Sequence, residues 1–127
     1  MSFEQCLREE METVSGLADK VFPVNAPESY PSPYAVYFSS EGTADKSLNE
    51  VLSSRTLDFS VHVISVTYSE GKTITSGVVQ RLQSFFQREI GVSNPIFCED
   101  ITIDPTTETW DNQLNMFRFI VDATIYI

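Results

Sequence analysis

The chain is short of positive charge. Its 127 residues hold 8 Lys and Arg against 18 Asp and Glu, a formal net charge of −10. Affinity for nucleic acid comes from clustered bases. Here Arg8, Lys20, Lys46, Arg55, Lys72, Arg81, Arg88 and Arg118 are scattered and form no stripe. The acidity serves either solubility or a surface that must not hold DNA or another polyanion. Cysteine is scarce too. Cys6 and Cys98 stand alone, with no CxxC spacing to hold a metal. Both read as reduced and buried, in a cytosolic setting. No apolar run approaches the roughly 18 residues that cross a bilayer, and no signal peptide is evident, so neither secretion nor membrane contact is expected. Glycine-rich phosphate loops and HExxH are missing, and a lone Gly71 is no evidence for phosphate binding. No cofactor, metal or catalytic residue is expected.

Hydrophobic residues make up 42% and aromatics 12%, a composition that folds. The length fits one domain, residues 1–127. The organising stretch is Thr56 to Ile90. Leu57, Phe59, Val61 and Val63 alternate with Asp58, Ser60 and His62, the period of a strand with one buried face. Tyr68 to Gly71 then lead into Ile74, Val78, Leu82, Phe85, Phe86 and Ile90, which recur at helical spacing. The helix should fold back across the sheet.

The remaining elements follow in order. Residues 2–15 predict a first helix with a Ser2/Gln5 capping box. Its buried stripe is Phe3, Cys6, Leu7, Met11 and Val14, and Gly16 suits a left-handed stop. Pro23 to Pro33 form a stiff connector, followed by a strand over Tyr34 to Ser39. Residues 40–54 read as a long polar loop, either a flexible arm or a short helical turn on its own domain. Leu48, Val51 and Leu52 on it could rest on a neighbour. Gly91 suits a helix stop. A third strand spans Ile96 to Ile103 and a fourth Gln113 to Ile127, with an acidic hairpin tip at 104–112. The expectation is an α+β domain of order αββαββ, with two helices packed on one face of an antiparallel four-stranded sheet.

The other sheet face is also apolar in places. Ile64 and Val66 end the central strand on its polar side, and Leu114, Met116, Ile120 and Tyr126 do the same on the last. Two helices cover one face, so these need another cover: the connector and loop, or other subunits. Burial at about 25 cal/mol per Å² could drive association. Candidate interface residues are therefore Ile64, Val66, Leu48, Val51, Leu52, Trp110, Met116, Ile120 and Tyr126. Glu99, Asp100, Asp104, Glu108 and Asp111 form an acidic run without the register of a calcium loop. It reads as a solvated hairpin, or as a surface facing a charged partner or a lumen. Asp58, Ser60 and His62 share one strand face and include the residue types of a hydrolase triad. No glycine elbow surrounds Ser60, and a solvent or interface face is the expected role.

Taken in order, Val21-Phe-Pro-Val-Asn-Ala-Pro, Pro33-Tyr-Ala-Val-Tyr, Leu57-Asp-Phe-Ser-Val-His-Val, Thr67-Tyr-Ser-Glu-Gly and Phe117-Arg-Phe-Ile-Val-Asp span nearly the whole chain. The series resembles tail completion proteins of long-tailed bacteriophages, also called tail terminators or tail-to-head joining proteins. The resemblance implies a structural, non-enzymatic subunit. It would form a homo-oligomeric ring, a hexamer in this family, at the head-proximal end of the tail tube. Its implied partners are the tail tube protein and a head-tail connector or stopper. DNA would pass through the lumen without specific binding, and the subunit would belong to the virion after assembly in the host cytoplasm. Alternatives are another neck component, such as a stopper or adaptor, and, from a different class, a small ligand-binding or enzymatic α+β domain.

Overall fold

The computed structural model describes residues 3–24, 31–39, 43–46, 51–92 and 95–127; the side chains of residues 43–46 and 51–55 lie outside the description. Helix α1 spans Phe3–Met11 and α2 spans Tyr68–Gln83. The strands are β1 (Val21–Pro23), β2 (Tyr34–Ser39), β3 (Thr43–Lys46), β4 (Val51–Ser65), β5 (Arg88–Ile90), β6 (Ile96–Cys98), β7 (Asp100–Ile103), β8 (Thr107–Asp111) and β9 (Met116–Tyr126). The fold is α+β, as expected, but the sheet is larger and mixed. Seven strands form it, in the line β1-β2-β4-β9-β7, with β3 paired to β4 and β8 to β9. β5 and β6 make a separate two-stranded sheet.

The antiparallel four-stranded expectation fails at particular residues. The start of the proline-rich connector is itself a strand. β1 runs parallel to β2, with Val21 opposite Ala35. Residues 40–54 are not one loop, because β3 pairs with the first part of β4, Thr43 opposite Thr56 and Lys46 opposite Val51. β9 begins its pairing with β4 at Thr56, so the paired backbone of 43–46 and 51–55 extends beyond β9 as a two-stranded arm. Leu48 lies outside the described residues, as does Ser2 of the capping box.

The acidic segment 104–112 is likewise not a hairpin tip. β7 and β8 both run antiparallel to β9, with Ile103 opposite Ala123 and Thr107 opposite Ile120. The residues between include Pro105, which has no amide to give the ladder. One extra residue is accommodated there, a bulge that reverses which side chains face the helices. On β7 the odd residues Ile101 and Ile103 face them. On β8 the even residues Glu108 and Trp110 do, opposite Phe119 and Phe117. The actual tip is residues 112–115, where Asn115 takes φ 57° and Asp111 Oδ1 accepts from the amides of Gln113 and Leu114.

The long pairing of β4 with β9, Thr56↔Tyr126 to Ser65↔Phe117, places odd residues of both strands on one face. Both helices lie there. Phe3, Cys6, Leu7 and Met11 of α1 and Ile74, Val78 and Leu82 of α2 form one cluster with Leu57, Phe59, Val61, Val63, Phe119, Val121 and Ile125. The second helix ends earlier than its apolar spacing predicts. Ser84 Oγ donates to the Arg81 carbonyl, and Gln87 takes φ 53°. Phe85 stays buried, Phe86 is left exposed, and Ile90 joins β5. Gly91 follows a strand rather than a helix, though its φ of 91° is the left-handed geometry expected of it.

Candidate functional site

The far face of the sheet divides into an apolar part and a polar part. The apolar part is a small cluster of Tyr34, Val36 and Ile64, flanked by Phe22, Phe38 and Met116. Register explains it: Tyr34 pairs with Ile64, and Val36 with His62. Ile64 is 1% exposed. It is shut in by its own chain and offers no surface to a neighbour, which corrects its place among the interface candidates. Met116 packs on this cluster and is half-buried. Ile120, opposite His62 on β9, is half-buried, and Tyr126 is exposed at the strand end. Val51 and Leu52 belong to the arm's backbone, and their side chains lie outside the description.

The polar part is a hydrogen-bonded chain across β4 and β9. Ser60 Oγ donates to Asp122 Oδ1 at 2.7 Å. With its proton committed, Ser60 can only accept, so His62 Nε2 at 3.0 Å is the donor. His62 Nδ1 then accepts from Arg118 Nη1 at 2.8 Å. Arg118 also holds Asp111 Oδ2, at 3.0 Å from Nη2 and 3.2 Å from Nε. Thr124 Oγ1 donates to Asp58 Oδ1 at 2.7 Å. A serine nucleophile needs the imidazole to take its proton. Here the imidazole gives one, and Asp58 bonds Thr124. Asp58, Ser60 and His62 thus share a face as expected, wired sideways into the neighbouring strand. A shallow concavity of about 470 Å³ lies beside them, between Phe38, Ser39, Asp58, Asp104 and Asp122.

Burial first, and the Arg118 guanidinium second, push the His62 imidazole below the ordinary histidine value, against the pull of Asp122. A base with a lowered folded pKa stabilises the fold above the unfolded value, about 6.5, and loses that contribution as pH falls from there toward the folded value. Urea midpoints of the native chain should therefore drop between about pH 7 and 5 relative to those of His62→Gln, which lacks this titration. Equal slopes for both chains would contradict the neutral, half-buried imidazole.

An exposed aromatic patch sits on the helix side, at the start of β9. Trp110 is 45% exposed and meets Phe117 edge-on, with ring centroids 5.0 Å apart. Phe117 meets Tyr68 at 5.6 Å, and Tyr68 meets Phe119 at 5.6 Å. The Tyr68 hydroxyl donates to Glu108, which also binds Lys72. Val66, 58% exposed, lies at the same end of β4, and Leu114 is exposed on the turn. Trp110 and Val66, expected at an interface, are thus open to solvent; Tyr68 and Leu114 join them. Tyr68 was hidden because the helix was expected to start after Gly71.

The five acids of the run separate by register. Glu108 is tied to Lys72 and Tyr68, Asp111 to Arg118 and the turn. Hydrogen bonds from the Leu114 amide and from Arg118 hold the Asp111 carboxyl below the usual range. Glu99, Asp100 and Asp104 are exposed along the edge. Glu10, on α1, was not foreseen as a structural carboxylate. It is 5% exposed, and its oxygens accept from Arg81 Nε at 2.8 Å, Arg88 Nη2 at 2.9 Å and the Gly91 amide at 2.8 Å. The signal was available, since position 10 falls three after Leu7 and four after Cys6, inside the apolar stripe.

No family model matches this chain, and no curated protein matches it by sequence. Solved structures do match in fold. One is a chain of the structure described as "Virion of native gene transfer agent (GTA) particle". It is 12% identical, with a TM-score of 0.66, over 91% of this chain and 82% of that one. At that identity the likeness establishes a shared fold across nearly the whole of both chains.

Proposed function

We propose that this protein is a structural subunit of a phage-type particle, and within that class a tail completion protein. It would form a ring, a hexamer, at the head-proximal end of the tail tube, where it ends tube growth and joins the tail to the head connector or stopper. The observation that carries the reading is the likeness in fold to a chain of a gene transfer agent virion. The ordered series of segments resembling tail completion proteins supports the finer assignment. The exposed rings of Tyr68 and Trp110, with Val66 exposed at the same end of β4, support subunit contact, since buried aromatics dominate interface energies. The net charge of −10 suits a lumen past which DNA slides without being held. In this role the protein works without catalysis, cofactor or metal, is built in the host cytoplasm, and resides in the virion.

Trp110→Ala and Val66→Asp test the reading, because both side chains are exposed and their replacement leaves the core intact. Both variants should keep the native circular dichroism and thermal midpoint. Both should lower the yield of joined particles in a head-plus-tail complementation assay by about tenfold or more, the effect of losing an interface anchor. Full joining by both variants, or particles that join heads to tails without this protein, would refute the proposal.

A further inference from the structure

The outer edge of β7 pairs with nothing among the described residues; β9 is its partner on the other side. Asp104 N–H donates to the Asp122 carbonyl, so by alternation the Thr102 amide also points to β9 while those of Ile101 and Ile103 point outward; the alternation ends at Glu99, whose amide bonds the Tyr126 carbonyl of β9. An open edge of this kind templates strand addition. Beneath it, on the helix side, Gln83, Phe86, Ile101 and Ile103 line a slot of about 300 Å³. A second, of about 250 Å³, lies between α2 and Thr106, beside Val79 and Gln80. Phe86 is 52% exposed there, and Ile101 and Ile103 are half-covered. One more strand would lay every second side chain over these residues.

The opposite side of the same edge is acidic. Asp100 and Asp104 are exposed and, like the exposed Glu99 that precedes the strand, make no salt bridge among the described residues; Lys72, the base at the slot, is bound to Glu108. Asp100 Oδ1 accepts from the outward amide of Ile101 at 2.8 Å. The carboxylate therefore caps the edge until something replaces it. Two copies pairing edge to edge would bring these carboxylates together, which disfavours a symmetric dimer.

We infer that the β7 edge is a docking site for an extended segment of another polypeptide, apolar and β-branched at alternate positions and Lys- or Arg-bearing at those between. Its carbonyl takes the Ile101 amide, and its cation takes the Asp100 carboxylate so released. The apolar side chains fill the slot by Phe86, and main-chain bonds with alternate-side pockets supply the recognition. The inference rests on the edge and its flank, and holds or fails independently of ring formation.

The probe is a capped seven-residue peptide alternating valine and lysine, added to the full chain, with a second peptide carrying glutamate for lysine as control. The lysine peptide should slow hydrogen exchange at the Ile101 and Ile103 amides. Combining Asp100→Lys with Asp104→Lys should weaken its binding by about tenfold, and Phe86→Ser by about fivefold, with the fold checked by circular dichroism. Equal binding of the glutamate peptide overturns the proposal. So does unchanged exchange at Ile101 and Ile103 under saturating lysine peptide, or undiminished binding by either variant.

Discussion

Gly71→Ala should be among the most damaging single substitutions in this protein, lowering its stability by about 3 kcal/mol. On helix propensity alone the change should help, since alanine is favoured over glycine by about 1 kcal/mol in a helix interior. Gly71 sits in the first turn of α2, buried against β9. A β-carbon there would lie inside van der Waals reach of Phe119 Cε1, with Cδ1 and Cζ 3.0 Å away. Phe119 is fully buried and packed against Tyr68, so its ring has no room to yield. The helix would have to lift from the sheet, uncovering the core below. Urea or thermal unfolding measures the loss. A variant as stable as the native chain, or more so, would mean that the helix can shift at little cost and that close approach at Gly71 does not set its position.

Glu10→Gln should cost about 3 kcal/mol, and more by its effect on the two arginines than by the bonds it deletes. Arg81 and Arg88 converge on this carboxylate from α2 and β5, and the Gly91 amide is tied to the same group. It ties α1 to the end of α2 and to the small β5–β6 sheet through three polar groups. The glutamine can bond only part of that set and leaves two guanidiniums without a counter-charge. Burial by itself would raise the Glu10 pKa; the bonds from Arg88, Gly91 and Arg81 outweigh it and bring it below the usual glutamate value. For an acid with a depressed folded pKa, the stabilisation is present above the unfolded value and disappears as pH falls through the folded one. The native chain should therefore lose stability on acidification in a way Glu10→Gln does not, and the two should converge at low pH. A constant difference down to about pH 2 would show that the carboxylate's charge contributes nothing.

Much of the fold was legible because the core obeys simple periods. Leu57, Phe59, Val61 and Val63 face the helices as their alternation requires, and Ile74, Val78 and Leu82 cover them. The misreadings have local causes. Residues 40–54 hold too few apolar side chains to show a strand period, yet the backbone pairs there as β3 with β4. Residues 104–112 looked like a turn because a proline and several acids interrupt them; the chain instead continues past a bulge at Pro105 as β8. That bulge moves Trp110 to the helix face beside Phe117, a placement that composition does not encode. Ile64 looked exposed because its strand face is polar at Asp58, Ser60 and His62. Its cover comes from Tyr34 and Val36 on the neighbouring strand, with Phe22 and Met116 packed against them.

The amino-acid order alone settled the class of fold, the face on which each helix packs and the acidic character of the surface, because these follow from periodicity and charge, which are additive along the chain. Which apolar residues stay open to solvent, which carboxylates are tied to bases, and where the sheet leaves an edge were decided only when distant segments met. Register and the Pro105 bulge select those partners, and neither is a property of any single stretch of sequence.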